Sequence, residues 1–394
     1  VASSQGCESI RTAARRPDKK MARPLLIVPE SPYAALHWHQ GYLGSDMAQT
    51  SLPDQPPRTV TELEEQLSSP SPEVIETIAR CDADIVLLGV AGKMGPTMAR
   101  MARRAMDQAG IGRRVIGVSR FSDPAVREKL QSWNIETISA DLLEPDQVRD
   151  LPDAGYVVQL AGFKFGASSA PLQLWATNCQ VPMLVCERYQ DTPIVAFSTG
   201  SLYGMVPAAS GGSKETDSPR PDGAYSMAAV CRENILRYYS QSLEIPMVIL
   251  RLNYATELRY GVLVDLAIKV LKGEPVDRSM THVNVIWLSD ANAMTLRALE
   301  HCQAPARILN MTGPDILNVP DLCQQMANQL GRDAVLEGSD SELAFLNNAS
   351  LSYPLLGAPQ LDAETMIRWT CDWVRQGGEN LGKPTKFQVT DGTY

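Results

Sequence analysis

Asp84-Ile-Val-Leu-Leu-Gly89-Val-Ala-Gly92-Lys93-Met94-Gly95-Pro96 is the stretch on which the reading of this 394-residue chain turns. Its first five residues form a short apolar run of the kind that makes a buried strand, and Pro96 to Gln108 reads as a helix. Gly-x-x-Gly-x-x-Gly therefore lies directly between a strand and a helix, the context in which the motif has a physical meaning. Gly89 allows the tight turn, Gly92 lets the backbone approach a pyrophosphate, and Gly95 permits close packing of helix on strand. The helix N-terminus adds positive potential. Gly89, Gly92, Lys93, Met94 and Gly95 are thus expected to bind a dinucleotide; a glycine-rich turn without a ligand is the alternative.

Downstream, strands and helices alternate. Val115 to Arg120 reads as a strand and Ala125 to Trp133 as a helix. A third strand, Glu136-Thr-Ile, leads into Asp141-Leu142. A fourth, Tyr156 to Leu160, ends at Ala161-Gly162. After a helix over Leu172 to Arg188, a fifth strand, Ile194-Val-Ala-Phe, ends at Ser198-Thr199. The alternation predicts an α/β, Rossmann-type doubly wound parallel sheet with ligands at the carboxyl ends of its strands. An enzyme using NAD would carry Asp or Glu at the end of the second strand. Ser119-Arg120 stands there, and a hydroxyl with a guanidinium suits a 2'-phosphate, so NADP is favoured and NAD is the alternative. Arg120 also fits a solvated surface position, and Asp123 is close by.

Upstream, Ser71-Pro-Glu-Val reads as an N-cap with Pro at the first helical position, opening a helix to about Arg80; Thr59 to Leu67 reads as a short acidic helix. Residues 25–58 are rich in Pro, Ser and Gln, with an aromatic patch at Tyr33, Trp38, His39 and Tyr42, and read as an irregular arm. Residues 25–80 together form an N-terminal extension expected to pack on the core or complete a subunit contact. Residues 1–24 carry six basic and two acidic side chains and no apolar signal-like core, so they are expected to be disordered or a non-native start, with translation beginning at Met21; a basic targeting arm is the alternative. The net charge of -9 and the lack of a long basic stripe argue against nucleic acid as a partner. No apolar run approaches a membrane span. Eight scattered cysteines without a CxxC pair, and four histidines away from them, point to reduced thiols in a cytoplasmic protein without a metal site.

Taken together, these residues resemble the extended short-chain dehydrogenase/reductase family, the NAD-dependent epimerase/dehydratases, over residues 82–376. The glycine loop comes first, followed by Asp141-Leu142, which the resemblance places beside the adenine. Leu160-Ala161-Gly162 is similar to the segment crossing the cofactor, and Asn178 to the family's mid-helix asparagine. Ser198-Thr199-Gly-Ser-Leu-Tyr-Gly204 resembles the stretch with the catalytic Ser or Thr, here Thr199, and Pro221-Asp-Gly-Ala-Tyr225 leads to the catalytic tyrosine. Val248 to Asn253, Val285 to Asp290, Leu309 to Gly313 and Leu355 to Gly357, with Trp369 and Trp373, resemble later landmarks. The resemblance implies a cofactor-binding domain over 81–254. Over 255–394 it implies a smaller substrate-binding part, with segments returning to the sheet. It also implies hydride transfer at a carbinol of a sugar or sugar nucleotide, and a homodimer.

One departure stands out. The family carries a lysine four residues after the tyrosine, lowering its pKa and holding the nicotinamide ribose; here the residue is Ala229. Tyrosine alone, with a pKa near 10, is a poor base at neutral pH. Only 10 of the 36 basic residues are lysines, so the substitutes are few. Lys93 belongs to the phosphate loop and Lys214 to an exposed loop. Lys164, directly after the fourth strand, is the candidate for the missing charge, with a lysine extending from an aromatic loop into water as the alternative. Arg232 and Arg237 read as surface or salt-bridging residues. Asn253, Tyr254 and Arg259 are candidate substrate contacts. A cofactor-binding sensor or assembly protein with little catalysis is the second functional reading, supported by Ala229 and opposed by the retention of Thr199 and Tyr225.

Overall fold

The computed structural model describes residues 55–164, 169–383 and 385–389, all within one compact unit spanning Thr50–Tyr394. The expectations for residues 1–24 and for the patch at Tyr33, Trp38, His39 and Tyr42 lie outside the described residues.

Two helices precede the sheet, α1 (Val60–Leu67) and α2 (Pro72–Cys81). Thr59 opens α1 with a reciprocal capping box to Glu62, and Ser71 caps α2 ahead of Pro72. Then follow β1 (Ile85–Leu88), α3 (Gly95–Gln108), β2 (Val115–Ser119), α4 (Pro124–Ser132), β3 (Glu136–Ser139), α5 (Pro145–Arg149) and β4 (Tyr156–Gln159). After β4 come α6 (Pro171–Trp175), a π turn (Ala176–Gln180), α7 (Val181–Arg188), β5 (Ile194–Thr199), α8 (Gly223–Ser242) and β6 (Met247–Leu252). Strand β7 (Arg307–Met311) returns from the C-terminal part to pair with β6. The sheet order is β3-β2-β1-β4-β5-β6-β7, with every pairing parallel. The strand order reverses between β1 and β4, which opens a crevice at their carboxyl ends.

The helix expected over Leu172 to Arg188 forms, running from Pro171 to Arg188 with a π turn in its middle. Pro182 has no N–H for the carbonyl four residues earlier, and its ring crowds that carbonyl, which belongs to Asn178. The wider π turn upstream accommodates both. The buried Asn178 then turns its amide inward, donating to the carbonyls of Leu174 at 2.9 Å and Phe163 at 3.0 Å.

The C-terminal part builds on α9 (Val262–Lys272), α10 (Leu288–Arg297), α11 (Val319–Leu330), α12 (Tyr353–Leu356) and α13 (Ala363–Arg375). Leu263, Leu266, Val270, Met326, Ile367 and Trp369 share one core, and Trp287 meets Trp369 edge-on at 6.0 Å. Helix α1 enters that same core through Leu63 and Leu67, while α2 places Val74 and Ile78 against the sheet-side core. Polar ties secure α1 further. Arg259 pairs with Glu64 at 3.0 Å, and Asn292 donates to the Leu67 carbonyl. The extension is therefore part of both cores over residues 60–81. Leu63 is completely buried, so Leu63→Ala should lose about 2–5 kcal/mol of stability, as large-to-small core changes do. A shifted denaturant midpoint at constant slope is the expected result; a loss well under 1 kcal/mol would mean that α1 adds little to the fold.

Candidate active site

The glycine loop is held where β1 ends. Gly89 adopts φ +84, and a Cβ there would lie 2.8 Å from the backbone nitrogen of Ala161, so loop and β4 segment are in direct contact. A Cβ on Gly95 would run into the Val90 carbonyl. That spacing admits no side chain and brings the first turn of α3 against the loop. No side chain caps the start of α3, which leaves the N–H groups of its first turn without a side-chain partner. This cradle fits the pyrophosphate of a dinucleotide. At the far end, Ser119 and Arg120 follow β2, and the exposed Arg120 guanidinium lies 3.9 Å from Asp141. Asp141 also accepts from the Leu143 N–H at 3.0 Å, which fixes the Asp141-Leu142 turn. Leu160, Ala161 and Gly162 leave β4 along the crevice.

On the other side, Thr199 ends β5. Its hydroxyl oxygen accepts from the Ser201 N–H at 3.3 Å and shares a hydrogen with the Ser201 hydroxyl at 3.1 Å. Ser226 donates to Ser201 at 3.4 Å, which links the end of β5 to the first turn of α8 beside Tyr225. Tyr225 packs on Leu174, Ala228 and Phe163. The Lys164 ammonium lies 5.5 Å from the centre of the Tyr225 ring, within cation–π range. Burial lowers the Lys164 pKa to about 8. The structure thus brings Thr199, Tyr225 and Lys164 to one end of the sheet. Lys214 is exposed in its loop.

Lys93 has a second surrounding that the motif does not suggest. Its ammonium stacks 3.4 Å from the centre of the Tyr260 ring. Burial first, then the like charges of Lys383 and Lys164, push its pKa down to about 7, against an opposing pull from Asp265. Tyr260, whose hydroxyl pKa is raised chiefly by burial and then by Asp265 and Tyr225, joins the phosphate loop to the Tyr225 end. No periodicity or spacing marks Tyr260 in the sequence, since it sits in the irregular segment after β6.

The candidate substrate contacts are engaged internally. Asn253 is buried and donates to Asn284 at 2.7 Å and to the Phe345 carbonyl at 3.2 Å. Arg259 is buried between Glu64 and Glu257. Tyr254, at φ 42, packs against the C-terminal core. Arg237 is a surface residue as expected, but Arg232 is not: it is 4% exposed and donates to the side-chain amide oxygen of Asn178 at 2.7 Å. Its length and flexible stem allow it to fold back toward the N-terminus of α8, where helical side chains lean.

A model of the NAD dependent epimerase/dehydratase family matches residues 85–309, more than half of the chain. Among solved structures, UDP-glucuronic acid 4-epimerase from Bacillus cereus, in complex with NAD and a fluorinated UDP-glucuronic acid, aligns at TM-score 0.63 and 18% identity over 74% of this chain and 99% of that one. UDP-glucose 4-epimerase from Thermotoga maritima aligns at 0.61 and 19%, over 75% and 99%. The dTDP-glucose 4,6-dehydratase DesIV from Streptomyces venezuelae, with NAD and TYD bound, aligns at 0.64 and 17%, over 74% and 97%. At these identities the likeness is one of fold. Comparison with curated protein sequences gives no match.

The Lys93 environment carries a pH prediction. A pyrophosphate in the cradle favours the charged ammonium, so binding raises its pKa and takes up a proton above pH 7. Affinity for NADH should therefore fall as pH rises above about 7, by up to tenfold per unit, until the bound-state pKa is reached. Fluorescence titration between pH 6 and 9 measures this, and Lys93→Met should flatten the profile. A flat wild-type profile would refute the assignment.

Proposed function

Because the chain belongs to the NAD dependent epimerase/dehydratase family, we propose that it epimerises, dehydrates or oxidises a sugar, most simply a nucleotide-linked sugar, by hydride exchange with a bound nicotinamide dinucleotide. The observation that carries this reading is the gathering of Thr199, Tyr225 and Lys164 at the carboxyl end of the sheet, across from the glycine cradle. Gly89, Gly92 and Gly95 with the start of α3 would hold the pyrophosphate, and Asp141-Leu142 the adenine end. Bound there, the cofactor supplies a hydride acceptor and donor at its nicotinamide ring.

The residues of the chain handle the proton. The Thr199 hydroxyl, held by Ser201, hydrogen-bonds the reacting substrate oxygen. Tyr225 takes the proton of that oxygen when the carbinol is oxidised and returns it on reduction. The Lys164 ammonium, over the Tyr225 ring, adds positive charge at this end of the site, where a substrate alkoxide develops. Lysine suits this role because burial tunes its charge, which arginine does not permit. The benefit exists while Lys164 is protonated, hence below pH about 8, and is lost above it.

Arg120 favours NADP. Its guanidinium follows β2, is 64% exposed and is only loosely paired with Asp141, so a 2'-phosphate can claim it. Exposed apolar side chains on α6, α7 and α8, among them Leu172, Met183, Met227 and Tyr238, support a homodimer through that face. The free thiols of the described cysteines support a cytoplasmic setting. No helix among the described residues is long and apolar enough to cross a membrane.

Product analysis with UDP-glucose, UDP-glucuronate and dTDP-glucose tests the reaction. Tyr225→Phe should lower kcat by roughly 10²–10⁴. Lys164→Met should lower kcat and remove the loss of activity above pH 8 while NADH binding persists; unchanged turnover in both variants would refute these roles. Competition between NADPH and NADH tests the cofactor: the wild type should prefer NADPH, and Arg120→Ala should erase the preference. A wild type that prefers NADH, with Arg120→Ala unaffected, would assign NAD instead.

A further inference from the structure

We infer that Arg232 is a cofactor-facing cation, aimed from α8 at the crevice and contributing to the hold on the nicotinamide-side ribose and phosphate of the dinucleotide. The inference rests on the functional reading above, since it needs that cofactor in the β1–β4 crevice. Four observations carry it. Arg232 is 4% exposed, yet its Nε has no hydrogen-bond partner, an expensive arrangement for a buried cation. The partner it does have, the Asn178 amide, is neutral. The adjacent carboxylate cannot compensate, because both Glu233 oxygens bond Arg251 and one of them also accepts from Ser198. Finally, a Cβ on Gly162 would lie 2.7 Å from the Arg232 guanidinium, so the charge sits against the turn leaving β4 at the crevice.

Neighbouring positions make room for it. Tyr225, Ala229 and Arg232 are spaced four and then three residues apart and share a face of α8. Ala229 is completely buried and offers no side chain beyond Cβ. An arginine one turn further on leans back along that face and delivers its guanidinium to the Asn178–Gly162 corner. Gly162 has to lack a side chain for this, and Asn178 has to stand in the π turn. An unmatched buried cation is costly, and an anionic ligand brought against it removes that cost. The ligand expected in this crevice carries a pyrophosphate and a ribose, and the fork of donors on Arg232 suits both. Proton handling is left to Tyr225 and Lys164.

Calorimetric titration with NADH, NADPH, ADP-ribose and AMP separates this role from a structural one. Arg232→Gln keeps a donor for Asn178 and removes the charge. It should weaken NADH and ADP-ribose at least tenfold, leave AMP within twofold, and keep the wild-type melting temperature. Arg232→Lys should stay within about threefold of wild type. Ala229→Lys in the Arg232→Gln background, which places a cation on the same face one turn earlier, should recover most of the loss. Gly162→Ala, which intrudes on the guanidinium from the opposite side, should repeat the Arg232→Gln pattern and serves as the independent variant if Arg232→Gln does not fold. Unchanged NADH binding in Arg232→Gln or, where that variant does not fold, in Gly162→Ala overturns the inference. So does an equal loss for AMP, which would mark a general structural defect. A wild type that binds neither NADH nor NADPH overturns the functional reading and this inference together. Binding without turnover on any sugar nucleotide counts against the reaction alone, because the Arg232 readout is affinity.

Discussion

The contact between the glycine loop and the segment leaving β4 is the constraint on which the site depends. Gly89 can meet Ala161 backbone to backbone only without a side chain, and Gly95 can meet Val90 only on the same condition. These two approaches fix α3 against β1 and set β4 beside it, at the point where the strand order reverses. Everything that follows β4 inherits its position from there: Gly162 along the crevice, Lys164 beside Tyr225, and the Phe163 carbonyl that Asn178 bonds. A loosened glycine turn would thus move the catalytic side as well as the phosphate side.

Charge is divided between the two kinds of basic residue. Buried arginines mostly tie elements together. Arg251, with Glu233, Tyr203 and Ser198, joins β5, β6 and α8, and Arg259 with Glu64 and Glu257 joins α1 to the C-terminal part. Such pairs add specificity more reliably than stability, since desolvation opposes the attraction, but removing one partner strands the other. The lysines at the crevice behave differently. Lys93 and Lys164 are held near pKa 7 and 8, where a ligand or a change in solvent alters their charge. Arg232 belongs to neither group, because it is buried like a structural arginine and lacks the carboxylate that structural arginines have here.

The first half of the chain was legible because its signals are local. A strand, three glycines and a helix in succession admit one reading, and the capped starts at Thr59 and Ser71 are written in single side chains. Lys164 could be picked out because lysines are scarce and it follows a strand directly. What sequence reasoning missed depends on contacts between distant segments. The π turn needs Pro182 and Asn178 considered together, Tyr260 gains its place only through Lys93, and Arg232 reads as a surface residue until Gly162 and Asn178 are brought to it. The same limit applies in reverse to Asn253 and Arg259, polar residues just past a strand end, whose partners at Asn284, Phe345 and Glu64 are far away in sequence.

The alanine at position 229 gains a physical meaning from this. A small residue there is not simply a missing lysine, because it clears the face along which Arg232 returns toward the crevice. Exchanging a cation at 229 for one at 232 changes its chemistry as well as its place. A lysine beside a tyrosine can both attract the tyrosinate and relay a proton, whereas a guanidinium does only the first. In this chain the tunable ammonium comes from the opposite wall, on Lys164, and the fixed charge from α8. On the reading proposed above, binding and proton transfer, which one lysine would combine, would fall to separate residues on separate elements, and Asn178 in the π turn joins those elements by bonding both the Phe163 carbonyl and Arg232.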